Sequence, residues 1–144
     1  MTTPETGREY DKMLLAAALI PTYATTAHVG NLGVPRMQMA PSRVEQLKEI
    51  LAQDTNNLLT RYALAMEYSN SGNVDAAVAE FKLLLEKHPD YANAYFMAAQ
   101  SLAGADRRAE AAQMLRDGIA AAKRSGNRHA ESEMQLMLDD LERR

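Results

Sequence analysis

Tyr62-Ala63-Leu64-Ala65-Met66-Glu67-Tyr68, followed by Ala77-Val78-Ala79-Glu80-Phe81 and then Pro89, decides the fold, because a shift of 34 residues lays a similar pattern on top of it. The shift carries Tyr62 to Phe96, Leu64 to Ala98, Ala65 to Ala99, Tyr68 to Leu102, Ala77 to Ala111 and Phe81 to Leu115. Apolar and small residues land on apolar and small residues. The same step backwards carries Val78 to Val44, Phe81 to Leu47, Leu84 to Ile50 and Leu85 to Leu51, so residues 43–53 match the second helix of a repeat whose first helix is missing. A fixed period of this size marks stacked helical hairpins. Ala65, Ala77, Ala99 and Ala111 stand where helices must approach to about 8–10 Å, and Leu64, Tyr68, Phe81 and Leu84 fill the remaining gaps.

Working outward, Ser42 with Glu45 three residues on predicts a capped helix whose apolar stripe is Val44, Leu47, Ile50 and Leu51. Helices are expected over 57–70 and 74–87, stopping at Ser71-Gly72-Asn73 and at His88-Pro89, because the residue before proline disfavours helix. A second pair is expected over 91–103 and 106–124 with its turn at Gly104-Ala105, and an amphipathic last helix over 128–142 closes the stack with Ala130, Met134, Met137, Leu138 and Leu141. The organisation read from this is a leader over 1–40 and a helical domain over 41–144, divided into a half repeat (43–57), two repeats (58–91 and 92–125) and a capping helix (128–142). The fold class is all-α, an α-solenoid of antiparallel helical hairpins.

The spacing resembles the tetratricopeptide repeat (TPR) family, whose pattern is Trp, Leu-Gly, Tyr, then Ala, an aromatic residue and finally Pro. Here those positions hold Arg61, Leu64-Ala65, Tyr68, Ala77, Phe81 and Pro89. Arg61 departs from Trp and Ala65 from Gly, while Tyr95 restores an aromatic one period after Arg61. The later repeat is weaker, with Leu102 for Tyr, Gly118 inside its second helix, and Lys123 in place of the terminal proline, so that helix is expected to run past the usual stop.

The resemblance implies a small bacterial-type protein that binds other proteins. In a TPR hairpin the first helix faces a concave groove, which assigns Leu59, Tyr62, Ala63 and Met66 from one helix and Asn93, Phe96, Met97 and Gln100 from the next as groove residues. Aromatic and methionine side chains suit a protein ligand, through buried area and an adaptable thioether. An alternative for Tyr62 and Phe96 is that they complete the inter-helix core. Some TPR domains clamp a terminal carboxylate with groove cations; this groove lacks them, so an apolar or amphipathic segment is the expected ligand. Two roles follow: an adaptor or scaffold using the concave face, or a self-associating subunit, including a homodimer, whose groove its own chain fills.

Composition narrows the rest. A chain of 144 residues with 47% hydrophobic and 24% charged residues suits one globular domain, and a net charge of −3 argues against nucleic acid, which needs clustered positive surface. The absence of cysteine excludes disulfides, thiol catalysis and cysteine-ligated zinc. His28, His88 and His129 are far apart, no nucleophile, metal or phosphate-loop spacing is present, and Gly30-Asn31-Leu32-Gly33 lacks the Lys-Ser/Thr that would follow. No enzyme activity and no cofactor are expected.

Near the amino terminus the apolar run Met13–Ile20 is eight residues long, too short for a membrane span, which needs about twenty. Glu5, Glu9 and Asp11 outweigh Arg8 and Lys12, which argues against a secretory signal and for the cytoplasm, with export as the alternative. The remaining alternatives are a flexible leader, a true start at Met37 or Met39, or a fold-back of Met13–Ile20 onto the helix at 43–53.

Overall fold

Ser42 opens the first helix as a two-way cap: its hydroxyl accepts from the Glu45 amide at 3.2 Å while the Glu45 carboxylate accepts from the Ser42 amide at 2.8 Å. The computed structural model describes residues 40–144, and the expectations for Met13–Ile20 and the other residues before Ala40 lie outside them. Six α-helices follow, with no strand among the described residues: α1 (Arg43–Gln53), α2 (Leu58–Asn70), α3 (Val74–Lys87), α4 (Ala92–Gly104), α5 (Arg108–Ser125) and α6 (Arg128–Arg143). The all-α repeat architecture expected from the period is therefore present.

Asparagine starts three of the six. Asn57, Asn73 and Asn127 accept from the amides of Thr60, Ala76 and Ala130, each satisfying a donor that a helix start leaves unpaired. Tyr91 and Arg107 begin α4 and α5 without a side-chain cap bond. At α5 the guanidinium of Arg107 grips Glu110 of the first turn at 2.7 Å and Asp75 of α3 at 2.5 Å, tying the starts of the two second helices together. That pairing holds the Glu110 carboxyl below its ordinary range.

The turns inside the hairpins repeat too. Gly72 (φ +80°) follows α2 and Asp106 (φ +61°) follows α4, and after each the next amide returns to a carbonyl five residues back: Asn73 to Tyr68 at 2.9 Å and Arg107 to Leu102 at 2.9 Å. This is the closing bond of a Schellman-type stop. The second turn therefore pivots on Asp106, and Gly104, expected as its centre, is still helical. The third stop is Gly126 (φ +71°), with Asn127 bonded back to Ala122 at 2.8 Å. No proline interrupts α5 before Gly126, so α5 runs to 18 residues against 14 for α3.

The core follows the period. Ala65 and Ala99, Ala77 and Ala111, and Phe81 and Leu115 are fully buried pairs one repeat apart, and Leu64 and Ala98 are close behind. Arg61, in the position where TPR sequences carry Trp, reaches Glu80 of α3 at 2.7 Å and the Thr55 carbonyl at 2.9 Å, with the ionic side chains only 18% and 19% exposed. One period on the same pair is Tyr95 and Met114, both buried, and the Tyr95 hydroxyl donates to the Pro89 carbonyl at 2.8 Å. A charged pair in one repeat is an apolar pair in the next.

Gly118 is a packing residue rather than a weak point. A Cβ there would lie 2.6 Å from the Tyr95 Cβ and 2.5 Å from the Met134 Sδ, so its missing side chain lets α5 close on α4 and α6 together. At the other end, α1 touches only α2 among the described helices. Its stripe is correspondingly open: Leu47 is half-buried where Phe81 is fully buried, and Ile50 is 46% exposed where Leu84 is 1% exposed.

Candidate functional site

α2 touches α4 and α4 touches α6, whereas α1, α3 and α5 do not touch one another. The row whose members meet is the inner side of the stack, so its solvent-facing stripes form the concave surface. Between α2 and α4 lies a groove of about 470 Å³ lined by Met66, Ser69, Asn70 and Val74 on one side and by Met97, Gln100, Ser101 and Gly104 on the other. At its base the Ser69 and Ser101 hydroxyls are 2.5 Å apart, and Ser101 donates to the Met97 carbonyl at 2.9 Å. The hydroxyl link holds the last turns of the two helices together with no charge present.

The structure places the eight expected groove residues in three settings. Met66, Met97 and Gln100 line this groove. Leu59, 72% exposed, and Asn93, also exposed, lie near the opposite ends of α2 and α4 from Gly72 and Gly104. Tyr62, Ala63 and Phe96 are half-buried, and the rings of Tyr62 and Phe96 pack against the core. Tyr62 meets Phe81 and Tyr91 edge to face, with ring centres 5.9 and 5.8 Å apart, and burial followed by the neighbouring Tyr91 raises its phenol above the ordinary value. That ring is committed to the hairpin before any ligand arrives.

Ser69, Asn70, Ser101 and Gly104 were missed by sequence reasoning, although a clue was available. Asn70 and Gly104 lie one turn beyond Met66 and Gln100 on the same helical stripe, so the stripe extends to the ends of α2 and α4. The Ser69–Ser101 pair is 32 residues apart, off the repeat period, because it joins helices across the groove rather than equivalent positions.

The groove has no titratable lining residue, and no group of three or more His, Cys, Asp or Glu side chains among the described residues is placed to hold a metal ion. His88 follows α3 as its C-cap, exposed, and His129 meets only the solvent-facing carboxylate of Glu133 at 3.3 Å. What the surface offers is shape, thioethers, amides and hydroxyls.

An inner row of helices with a groove along it defines a helical-hairpin repeat module. The tetratricopeptide repeat family model matches residues 57–101. The TPR repeat-containing protein PA0015 of Pseudomonas aeruginosa is 29% identical over 100 residues, covering 69% of this chain and 95% of that protein. Among solved structures, a tetratricopeptide repeat domain protein from Salinibacter ruber is 32% identical with a TM-score of 0.57, covering 62% of this chain and 90% of that one. Protein BPP2914 from Bordetella parapertussis is 33% identical with a TM-score of 0.62, covering 72% of this chain and 90% of its own. The chain belongs to the tetratricopeptide repeat family, a small bacterial-type member of a class of protein–protein interaction modules.

Proposed function

We propose that the protein is a non-enzymatic adaptor or scaffold that binds an apolar or amphipathic protein segment along its concave face. The observation that carries this reading is the uncharged groove of about 470 Å³ between α2 and α4, walled by Met66 and Met97. Thioethers are polarizable and flexible, so such walls adapt to aliphatic side chains of different shape. The amides of Asn70 and Gln100 on the rim give a ligand backbone or polar side chain something to bond, which fixes orientation more than it adds affinity. The exposed Leu59 and Asn93, with the half-buried Ala63 and Phe96, extend the surface towards the other ends of α2 and α4, while the Tyr62 ring supports it from the hairpin. No helix among the described residues is long and apolar enough to cross a membrane.

The test is affinity capture from lysate with the intact chain and with a Met66→Glu, Met97→Glu variant, circular dichroism confirming that both are folded. A protein retained by the intact chain and lost from the variant is the expected result. Equal retention by both would refute the groove assignment.

A second reading has one observation in its favour. The apolar stripe of α1 is open at Ile50, 46% exposed, so self-association through that helix is the alternative role. Mass in solution, measured on the intact chain and on Ile50→Glu, separates the two: an oligomer that dissociates on substitution supports self-association, and a monomer in both cases excludes it.

A further inference from the structure

The concave face continues past the first groove. Asn127 stands at the start of α6 36 residues after Tyr91 at the start of α4, so the repeat lengthens by two residues as α5 overruns. In that register Ala98 falls on Met134 and Leu102 on Leu138, and all four are buried. The same offset carries the groove stripe Asn93, Met97, Gln100 and Gly104 onto His129, Glu133, Leu136 and Asp140, every one of them exposed. Since α6 touches α4 directly, the inner row continues onto α6, where Glu133 and Leu136 are exposed and Met137 is half-buried.

The chemistry changes along the inner row. The α2–α4 groove has no charged lining residue, and α4 has none along its whole length. On α6, Glu133 replaces Met97 at the corresponding position, and Leu136, 71% exposed, is a large apolar side chain left bare beside it. Asp140 is held by Arg144 at 3.0 Å, and Glu133 shares its carboxylate with His129 at 3.3 Å. An aliphatic surface next to a carboxylate fits a long cationic side chain, whose methylenes cover apolar area while the head stays in water near the opposite charge.

We propose that the concave face selects a partner segment that sets aliphatic side chains in the α2–α4 groove and a lysine or arginine on the exposed stripe of α6, its stem on Leu136 and its head at Glu133. This rests on the groove reading above. An acidic residue at that place in the partner is repelled, so the carboxylate rejects wrong partners as well as attracting the right one.

The experiment is selection from a phage-displayed library of random peptides on the intact chain, followed by binding of the enriched peptides, made synthetically, to the intact chain, Glu133→Lys and Met97→Glu. Both substitutions fall on solvent-facing or half-buried positions, and circular dichroism checks the fold. The enriched peptides are expected to combine aliphatic residues with Lys or Arg and to bind Glu133→Lys about fivefold more weakly, a difference that shrinks as salt is raised. Peptides lost on Met97→Glu but indifferent to Glu133→Lys overturn this inference and leave the groove reading standing. Peptides indifferent to Met97→Glu overturn both. An absence of enrichment also overturns it, and a dimer mass for the intact chain would then assign the face to a second copy.

Discussion

Asp106 is where a single residue departs furthest from what its backbone wants. It occupies the left-handed region at φ +61°, in the turn where the equivalent residue one period earlier is Gly72. For an L-residue that conformation costs about 1–2 kcal/mol, eased for aspartate by its short polar side chain. The turn is closed by the 2.9 Å bond from the Arg107 amide to the Leu102 carbonyl, which holds Asp106 in that conformation. Replacing Asp106 with Gly removes the strain but adds freedom to the unfolded chain, so the expected net gain is about 0.5–1 kcal/mol, seen as a higher melting temperature. Asp106→Val, β-branched and without the polar side chain, is expected to lower it. If both variants melt alike, the turn carries no strain. The residue scale also explains what sequence reading left out: Gly104 was an obvious turn former, yet the left-handed position fell on the aspartate two residues later.

Among the elements, α5 shows how a departure from the repeat pattern is absorbed. Its Gly118 stands one period after Leu84, a fully packed side chain, and on the facing first helix the first repeat holds Arg61 where the second holds Tyr95. A large ring at Tyr95 and no side chain at Gly118 are two halves of one volume exchange. Alanine is a better helix former than glycine by about 1 kcal/mol, and on propensity alone Gly118→Ala would stabilise α5. The added Cβ would lie 2.6 Å from the Tyr95 Cβ, an atom fixed to the backbone of α4, whereas the Met134 Sδ at 2.5 Å can swing away. Overpacking of this kind costs about 1–3 kcal/mol, so packing outweighs propensity and Gly118→Ala is expected to lower the denaturant midpoint. A rise in midpoint would show that α4 and α5 can separate without loss. Helix positions, the cap at Ser42 and the overrun of α5 were all legible in the sequence, since each depends on neighbours close in the chain. The exchange between Tyr95 and Gly118, and the serine pair across the groove, were not, because they arise only when helices from different repeats meet.

Over the whole stack, contacts run between neighbours, so stability is a sum of hairpin terms and interface terms rather than a property of one central core. The two ends are unequal. α6 is closed down by Met134 and Leu138 in the core, by the Arg108 guanidinium on the Leu141 carbonyl at 2.6 Å and by an Arg116–Glu142 ion pair. α1 has one buried apolar residue, Leu51, an exposed ion pair from Arg43 to Glu67 and the ammonium of Lys48 5.9 Å from the Tyr68 ring centre. Exposed pairs of these kinds contribute about 0.2–1 kcal/mol each, against about 1.5–3 kcal/mol for each large apolar side chain fully buried. Opening therefore starts at α1 and reaches α4 and α5 last, where Leu102 and Leu115 are sealed. Amide hydrogen exchange under native conditions should show a gradient, with the amides of α1 least protected, those of α6 intermediate, and those around Leu102 and Leu115 exchanging only through global unfolding. Protection of α1 equal to that of α4 would require a covering for the Leu47 and Ile50 stripe and would shift the balance towards self-association. Collapse of that protection on Ile50→Glu, measured at a concentration where the chain is monomeric, would instead show the cover to be supplied within one molecule.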